Sequence, residues 1–400
     1  MLIALLMGFA SGLPLLLTLT LLQAWMKAAG VDLTTIGLFA LVGLPYTVKF
    51  LWAPLLDRFT PLALGRRRGW LLATQLALIA AIVLMAFSSP QDSPLGLALA
   101  ALLVTFFSAT QDIVIDAYRR EALLDEELGL GAGLYVPGYR AAMLLVGGGG
   151  LVLADQIGFS GVYLVMAALM GIGVATTLLA PEPRVPMAPR TLRGAVVDPF
   201  VEYFTREHAL LILLFIVLYK LGDQMASHMT IPFYLQMGYS NTEIGAVVKT
   251  FGVIPTLVGG VLGGVLMLRI GIYAGLWGFG ILQGVSTAGF VILIYTGHDL
   301  AWLAAVIGFE NLSAGMGTAA FIAFMGSLTN KRFTATQYAL LTSLMGVPRV
   351  FAAAPTGYLA QVVGWEVFFV AGALIALPGL LLLVKFRGWL GEPATQPQSL

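Results

Sequence analysis

Twelve long apolar runs, divided by short polar breaks, set the pattern of this chain. A run of about 20 apolar residues has the length of a membrane-spanning helix. The runs fall near 2–26, 36–56, 69–87, 95–118, 130–153, 161–180, 209–235, 242–267, 273–295, 300–325, 335–359 and 365–386. The longest polar interruption is basic and carries Pro181, Pro183, Pro186 and Pro189, which predicts a linker between two halves. The expected organisation is a six-helix bundle over 1–180, a cytoplasmic linker over 181–208, a second six-helix bundle over 209–390 and a polar tail over 391–400.

The halves repeat each other. Gly30-Val31-Asp32-Leu33-Thr34-Thr35-Ile36-Gly37 matches Gly238-Tyr239-Ser240-Asn241-Thr242-Glu243-Ile244-Gly245 at an offset of 208 residues, and Arg140 matches Arg349 at 209. Six helices is an even number, so both halves enter the membrane in the same orientation. In this the chain resembles the major facilitator transporters, an all-α fold of twelve transmembrane helices in two parallel six-helix repeats. Charge supports the plan. Ionisable residues in the interiors of the runs (Lys49, Asp112, Asp116, Arg140, Lys220, Asp223, His228, Lys249, Glu310 and Arg349) avoid the third, sixth, ninth and twelfth, the outer supports of that fold. Kink-forming Gly12, Pro14, Pro45, Pro137, Gly138, Pro255 and Pro348 also fall on the inner helices, where neighbours or cavity water can satisfy freed backbone groups.

Composition removes other classes. With 59% hydrophobic and 10% charged residues and a mean hydropathy of +0.93, the chain is not a soluble globular protein. It has no cysteine, which excludes disulfides, thiol catalysis and cysteine metal sites. Nothing in it suggests a metal, a cofactor or nucleic acid. Met1 runs directly into an apolar stretch, which predicts a first span and not a cleaved signal. Lys and Arg crowd one set of loops, from Arg58 and Arg66–Arg68 to Lys385 and Arg387, while the other set holds only Lys27. The crowded set is expected to be cytoplasmic, with both termini inside.

The candidate chemistry centres on Ser108–Arg120, SATQDIVIDAYRR. Asp112 and Asp116 lie one helical turn apart and share a face with Thr105 and Ser108. A charge at the bilayer centre costs roughly 2.5–3.5 kcal/mol, so such a face is expected to meet a water-filled path or a cation. Asp112, Asp116, Asp223 and Glu310 are candidate proton carriers, with Asp112 preferred as the deeper of the first pair; Asp116, beside Arg119, is alternatively structural. Candidate binding groups for an anionic cargo are Lys49, Arg140, Lys220, Lys249 and Arg349, with Gln23, Gln111 and Asn311 as amide partners. The same charges could instead pair with one another: Lys220 with Asp223, three residues on, or Arg140 with Asp112. Asp57-Arg58 followed by Arg66, Arg67 and Arg68 is a candidate conformational lock. The acids Glu121, Asp125, Glu126 and Glu127 are expected in a solvated cytoplasmic loop.

Several longer motifs then resemble one family, the AmpG-type muropeptide permeases: FLWAPLLDR at Phe50–Arg58, GRRRGW at Gly65–Trp70, SATQDIVIDAY at Ser108–Tyr118, YKLGDQMA at Tyr219–Ala226 and FENLSAGMGTAAFIAFMGSLTNKRFTATQYALL at Phe309–Leu341. The resemblance runs through nearly the whole chain. It implies a monomeric, proton-driven carrier in the bacterial inner membrane that imports anhydro-muropeptides, anionic glycopeptides, for cell-wall recycling, with a link to beta-lactamase induction. Some members of that family continue beyond twelve spans, so roles of such extra helices do not carry over. The alternative cargo class is another anionic solute, a siderophore or acetyl-coenzyme A. No HExxH, partnered GxSxG or Asp-rich metal motif supports an enzyme.

Overall fold

The computed structural model describes residues 1–31, 35, 39–183, 191–240, 243–345 and 356–386, without the side chains of Ala40, Leu192 and Lys249. Arg349, Pro348, the Lys249 side chain and the polar tail, all named above, lie outside the described residues. Among those described, every regular element is a helix.

Among the described residues, eight helices are long and apolar enough to cross a membrane, and two of these have double length: Asp125–Leu179 with 55 residues and Ile244–Thr296 with 53. Each contains a glycine in extended positive-φ geometry, Gly158 (φ 73, ψ 163) or Gly271 (φ 76, ψ 168), where the helix axis breaks. Gly364 (φ 77, ψ 163) breaks Thr356–Leu382 in the same way. That backbone region is essentially closed to residues with a Cβ, so glycine ends one span and starts the next. The breaks separate the fifth from the sixth span, the eighth from the ninth and the eleventh from the twelfth. They also repeat: Gly65 corresponds to Gly271, Gly158 to Gly364 and Gly30 to Gly238, all at positive φ and at nearly the spacing of the sequence repeat.

Two helix ends differ from the apolar pattern. The third span is Arg66–Ala86 and the fourth is Pro94–Ala122, so Arg66–Arg68, Arg119 and Arg120 belong to helical turns and not to loops. Hydropathy falls where charge begins, but arginine is a good helix former and the hydrogen-bond ladder continues through it. The linker likewise contains a 13-residue helix, Leu192–Phe204, with Pro199 inside it.

By contact the chain forms two compact units. The first comprises Met1–Asp125, Leu134–Tyr203 and Gly326–Ser343; the second comprises Glu126–Gly133, Phe204–Met325 and Leu344–Leu400. The stretch Gly326–Ser343 follows the tenth span (Leu300–Ser327) in sequence, yet it packs with the N-terminal spans.

In the first unit, Leu13, Leu17, Leu78, Ile82, Val104 and Tyr163 are fully buried in one apolar cluster. The first span (Leu2–Ala28) meets the fifth along glycines. A Cβ on Gly8 would lie 2.2 Å from the Tyr135 carbonyl oxygen, and one on Gly12 2.3 Å from that of Tyr139. Backbones approach this closely only where side chains are absent, as is common between membrane helices. In the second unit the core is aromatic, with Phe233, Tyr234, Phe290 and Phe369 packed together.

The eighth span opens with a capping box. Glu243 accepts from the Ser240 amide (2.7 Å) and hydroxyl (2.9 Å), while Ser240 Oγ accepts from the Glu243 amide (3.2 Å). His298 Nε2, from the turn before the tenth span, donates to Glu243 at 3.1 Å. The Ser240 amide and then His298 hold the Glu243 carboxyl down at about 2.

Candidate functional site

The fourth span turns its polar face onto its neighbours in the first unit. Thr105 donates to the Val42 carbonyl at 2.7 Å, and Ser108 Oγ accepts from the Tyr46 hydroxyl at 2.8 Å. Gln111, fully buried, donates to the Ala10 carbonyl at 2.9 Å. Ser11 donates to Asp112 Oδ1 at 2.5 Å and also lies 2.8 Å from the Tyr135 hydroxyl. Lys49, 7% exposed, is the cation acting most strongly on Asp112, and it acts on Asp116 as well. Asp116 accepts from Arg119 at 3.0 Å, and the same Arg119 nitrogen donates to the Tyr338 hydroxyl at 2.7 Å. The structure therefore brings Lys49, Asp112 and Asp116 together. Arg140 stands apart: it is exposed and makes no ion pair among the described residues, so it is not the partner of Asp112.

At the arginine-rich end a second cluster is dry. Asp57 and Arg67 are both fully buried. Asp57 Oδ1 accepts from Arg67 at 2.7 Å and from the Ala335 amide at 3.2 Å. Its Oδ2 accepts from the Thr336 amide at 2.9 Å and hydroxyl at 2.8 Å. Ala335 and Thr336 lie in the first turn of the helix Thr334–Leu344, so the carboxylate occupies a helix N-terminus, where free amides and the dipole favour an anion. Arg67 also holds Glu121 in two hydrogen bonds, of 2.8 and 2.5 Å. Glu121 is buried and ion-paired, which corrects its expected place in a solvated loop; of its neighbours in the run, Asp125 and Glu126 are exposed and Glu127 is half-buried. Arg66 donates to the Asp57 carbonyl at 3.0 Å. Arg58 instead lies over the Phe59 ring at 5.4 Å.

Arg68 faces away from Asp57. It caps the end of the sixth span through the Thr177 (3.0 Å) and Leu178 (2.7 Å) carbonyls, while Glu182 accepts from the amides of Arg67 and Arg68 at the start of the third. The linker helix joins in: Gln337 donates to the Pro199 carbonyl at 3.1 Å and to Glu202.

In the second unit Lys220 donates to Asp223 and to the Gln283 side chain, each at 3.4 Å, so the paired arrangement expected of residues three apart is present. A cavity of about 10 Å³ beside them has room for one water and not for a cargo. Glu310 is influenced by Asp223 and Lys220 and faces Ser286. Gln23 is exposed, and Asn311 lies against Gly252. Sequence reasoning missed Ser11, Tyr46, Tyr135, Glu182, Thr336 and Tyr338. Apart from the repeat and the family motifs, nothing marked these hydroxyls and this single acid among many others.

The major facilitator superfamily profile matches residues 1–353. The chain belongs to the major facilitator superfamily and is a multi-pass membrane transporter. It is 48% identical over 389 residues to the anhydromuropeptide permease of Escherichia coli K12, covering 96% of this chain and 79% of that protein. It is 32% identical to putative transporter AmpG 4 of Rickettsia felis, covering 94% of each. The E. coli fucose:proton symporter FucP shares the fold, with a TM-score of 0.76, 12% identity and coverage of 96% and 98%.

Proposed function

We propose that the protein is a proton-driven importer of anhydro-muropeptides, acting as a monomer in the bacterial inner membrane with both termini in the cytoplasm. The observation that carries this reading is the 48% identity, over nearly the whole chain, to a permease named for that cargo. The site chemistry agrees. Arg140 offers an exposed guanidinium inside a span, suited to a stem-peptide carboxylate. Asp112, on which the charge of Lys49 acts, is the carboxylate that takes up and releases the proton. Protonating it removes a negative charge that opposes an anionic cargo, so proton and cargo favour each other's binding. Labelled N-acetylglucosaminyl-anhydro-N-acetylmuramyl peptide should accumulate intact in proteoliposomes under an acid-outside gradient and stop with a protonophore. Accumulation of a siderophore or acetyl-coenzyme A in its place would move the protein to the alternative cargo class.

Asp57 serves this cycle as a lock. It holds the start of the eleventh span, Ala335 and Thr336, to the N-terminal spans, and the cytoplasmic side opens only when those bonds part. Asp57→Asn is expected to change the rate of interconversion, measured by single-turnover efflux, more than cargo affinity. Unchanged efflux kinetics would leave Asp57 with a structural role only.

A further inference from the structure

Two buried hydroxyls that the import reading does not use lie beside its acids. Ser11 (1% exposed) comes from the first span, Tyr135 (8%) from the fifth and Asp112 from the fourth. Their oxygens form a string: Asp112 Oδ1 to Ser11 Oγ at 2.5 Å, then Ser11 Oγ to Tyr135 Oη at 2.8 Å. The string is held by backbone, because Gly8 and Gly12, on either side of Ser11, touch the Tyr135 and Tyr139 carbonyls with no room for a Cβ. Beyond it, the Tyr135 ring lies under the Arg119 guanidinium at 4.5 Å, and Arg119 binds Asp116. The charges and titratable groups facing the Tyr135 hydroxyl are Asp116, Asp112, Arg119 and Tyr139. Those acting on the two acids add Lys49 and Tyr46 from the second span and, through Arg119, Tyr338.

A hydroxyl donates one proton and accepts through two lone pairs, so the string has two polarities. With Asp112 ionised, Tyr135 donates to Ser11 and Ser11 donates to Asp112. With Asp112 protonated, Asp112 donates to Ser11, Ser11 to Tyr135, and the Tyr135 proton turns away from Ser11; Asp116 is the other carboxylate whose charge acts on this hydroxyl, and the two share no direct hydrogen bond in this conformation.

We propose that Ser11 and Tyr135 form a proton relay that carries the proton from Asp112 to Asp116. The step balances. The Asp112 O–H bond breaks and its proton joins Ser11 Oγ; the Ser11 proton moves to Tyr135 Oη; the phenol then turns from Ser11 toward Asp116 and gives up its original proton there. The net change is a neutral Asp112 and an anionic Asp116 becoming an anionic Asp112 and a neutral Asp116. Arg119 then loses its carboxylate partner while its other bond, to Tyr338, sits two residues from the Thr336 that Asp57 holds. Arrival of the proton at Asp116 is thereby felt at the lock.

The relay rests on the proton-driven reading, and the test separates them. In proteoliposomes, Tyr135→Phe and Ser11→Ala should each lower gradient-driven accumulation of the labelled muropeptide by at least about tenfold. Exchange of internal for external cargo at equal pH, which moves no net proton, should persist, and Ser11→Thr should restore accumulation. A tyrosine or serine used only for packing would lower exchange and accumulation by the same factor, and that result overturns the relay. Accumulation at the wild-type level in Tyr135→Phe overturns it as well, with symport intact. Wild-type protein that exchanges cargo but ignores the gradient overturns both.

Discussion

At the scale of single residues, Asp112 and Glu121 make opposite predictions. Asp112→Asn should abolish accumulation against a gradient while leaving binding of labelled cargo and the amount of folded protein close to wild type. The cation acting on it, Lys49, also serves Asp116 and is not stranded. Accumulation with normal pH dependence would remove Asp112 from the mechanism. Glu121→Ala should instead unfold the protein more easily, by roughly 3–5 kcal/mol, because it leaves the buried Arg67 with one carboxylate and Arg66 with none in ion-pair range. Glu126→Ala, five residues on and exposed, should change the melting temperature little. The sequence singles out the pair Asp112 and Asp116 because two acids on one face of an apolar run call for a cation or a water-filled path. It does not single out Glu121, since the next acids in sequence are exposed and the arginine that buries it lies 54 residues away. Ser11 and Tyr135 were illegible for another reason: a hydroxyl costs little in a membrane helix, so it leaves no trace in a hydropathy pattern.

At the scale of elements, the repeat carried most of the information. The spans were readable from apolar length, and the glycines at their breaks stand where the pattern ends one run and starts the next. What the pattern could not give was the last helical turn, where charge and helix overlap, or the linker helix, whose own Pro199 reads as a breaker. The cap of the eighth span makes a pH prediction. The Glu243 carboxyl titrates at about 2 when folded, below the ordinary glutamate value of about 4.5. Its stabilisation is therefore complete above about 4.5 and is lost as the pH falls toward 2. The melting-temperature difference between wild type and Glu243→Gln should be present at neutral pH and shrink through that acid range. A difference independent of pH would mean that the charge of Glu243 contributes nothing to the cap.

For the whole molecule, the arginines predict which side of the membrane each end faces. Single cysteines at Arg68 or Lys331, in this cysteine-free background, should resist an impermeant thiol reagent in intact cells, whereas one at Gly297 should react. Labelling of the first two with protection of the third would invert the orientation. The sequence places a linker between two halves, but it carries no sign that Gly326–Ser343 packs with the first unit or Glu126–Gly133 with the second. The first of these depends on amides and a hydroxyl reaching a single buried carboxylate, and backbone donors have no sequence signature.

The distance in sequence between those partners has a consequence for biosynthesis. Asp57 leaves the ribosome 279 residues before Thr336, its hydroxyl donor. At 5–20 residues per second, the carboxylate waits on the order of 15–60 s before its last ligands exist. Throughout that interval the nascent N-terminal half holds Asp57 on Arg67 alone, with the space of the missing helix start open to water. An N-terminal fragment ending before the tenth span should therefore insert but remain open to protease at this end, and become resistant when the C-terminal fragment is supplied in trans. Persistent cleavage after both fragments are present would show that the join must be made while the chain is still being translated.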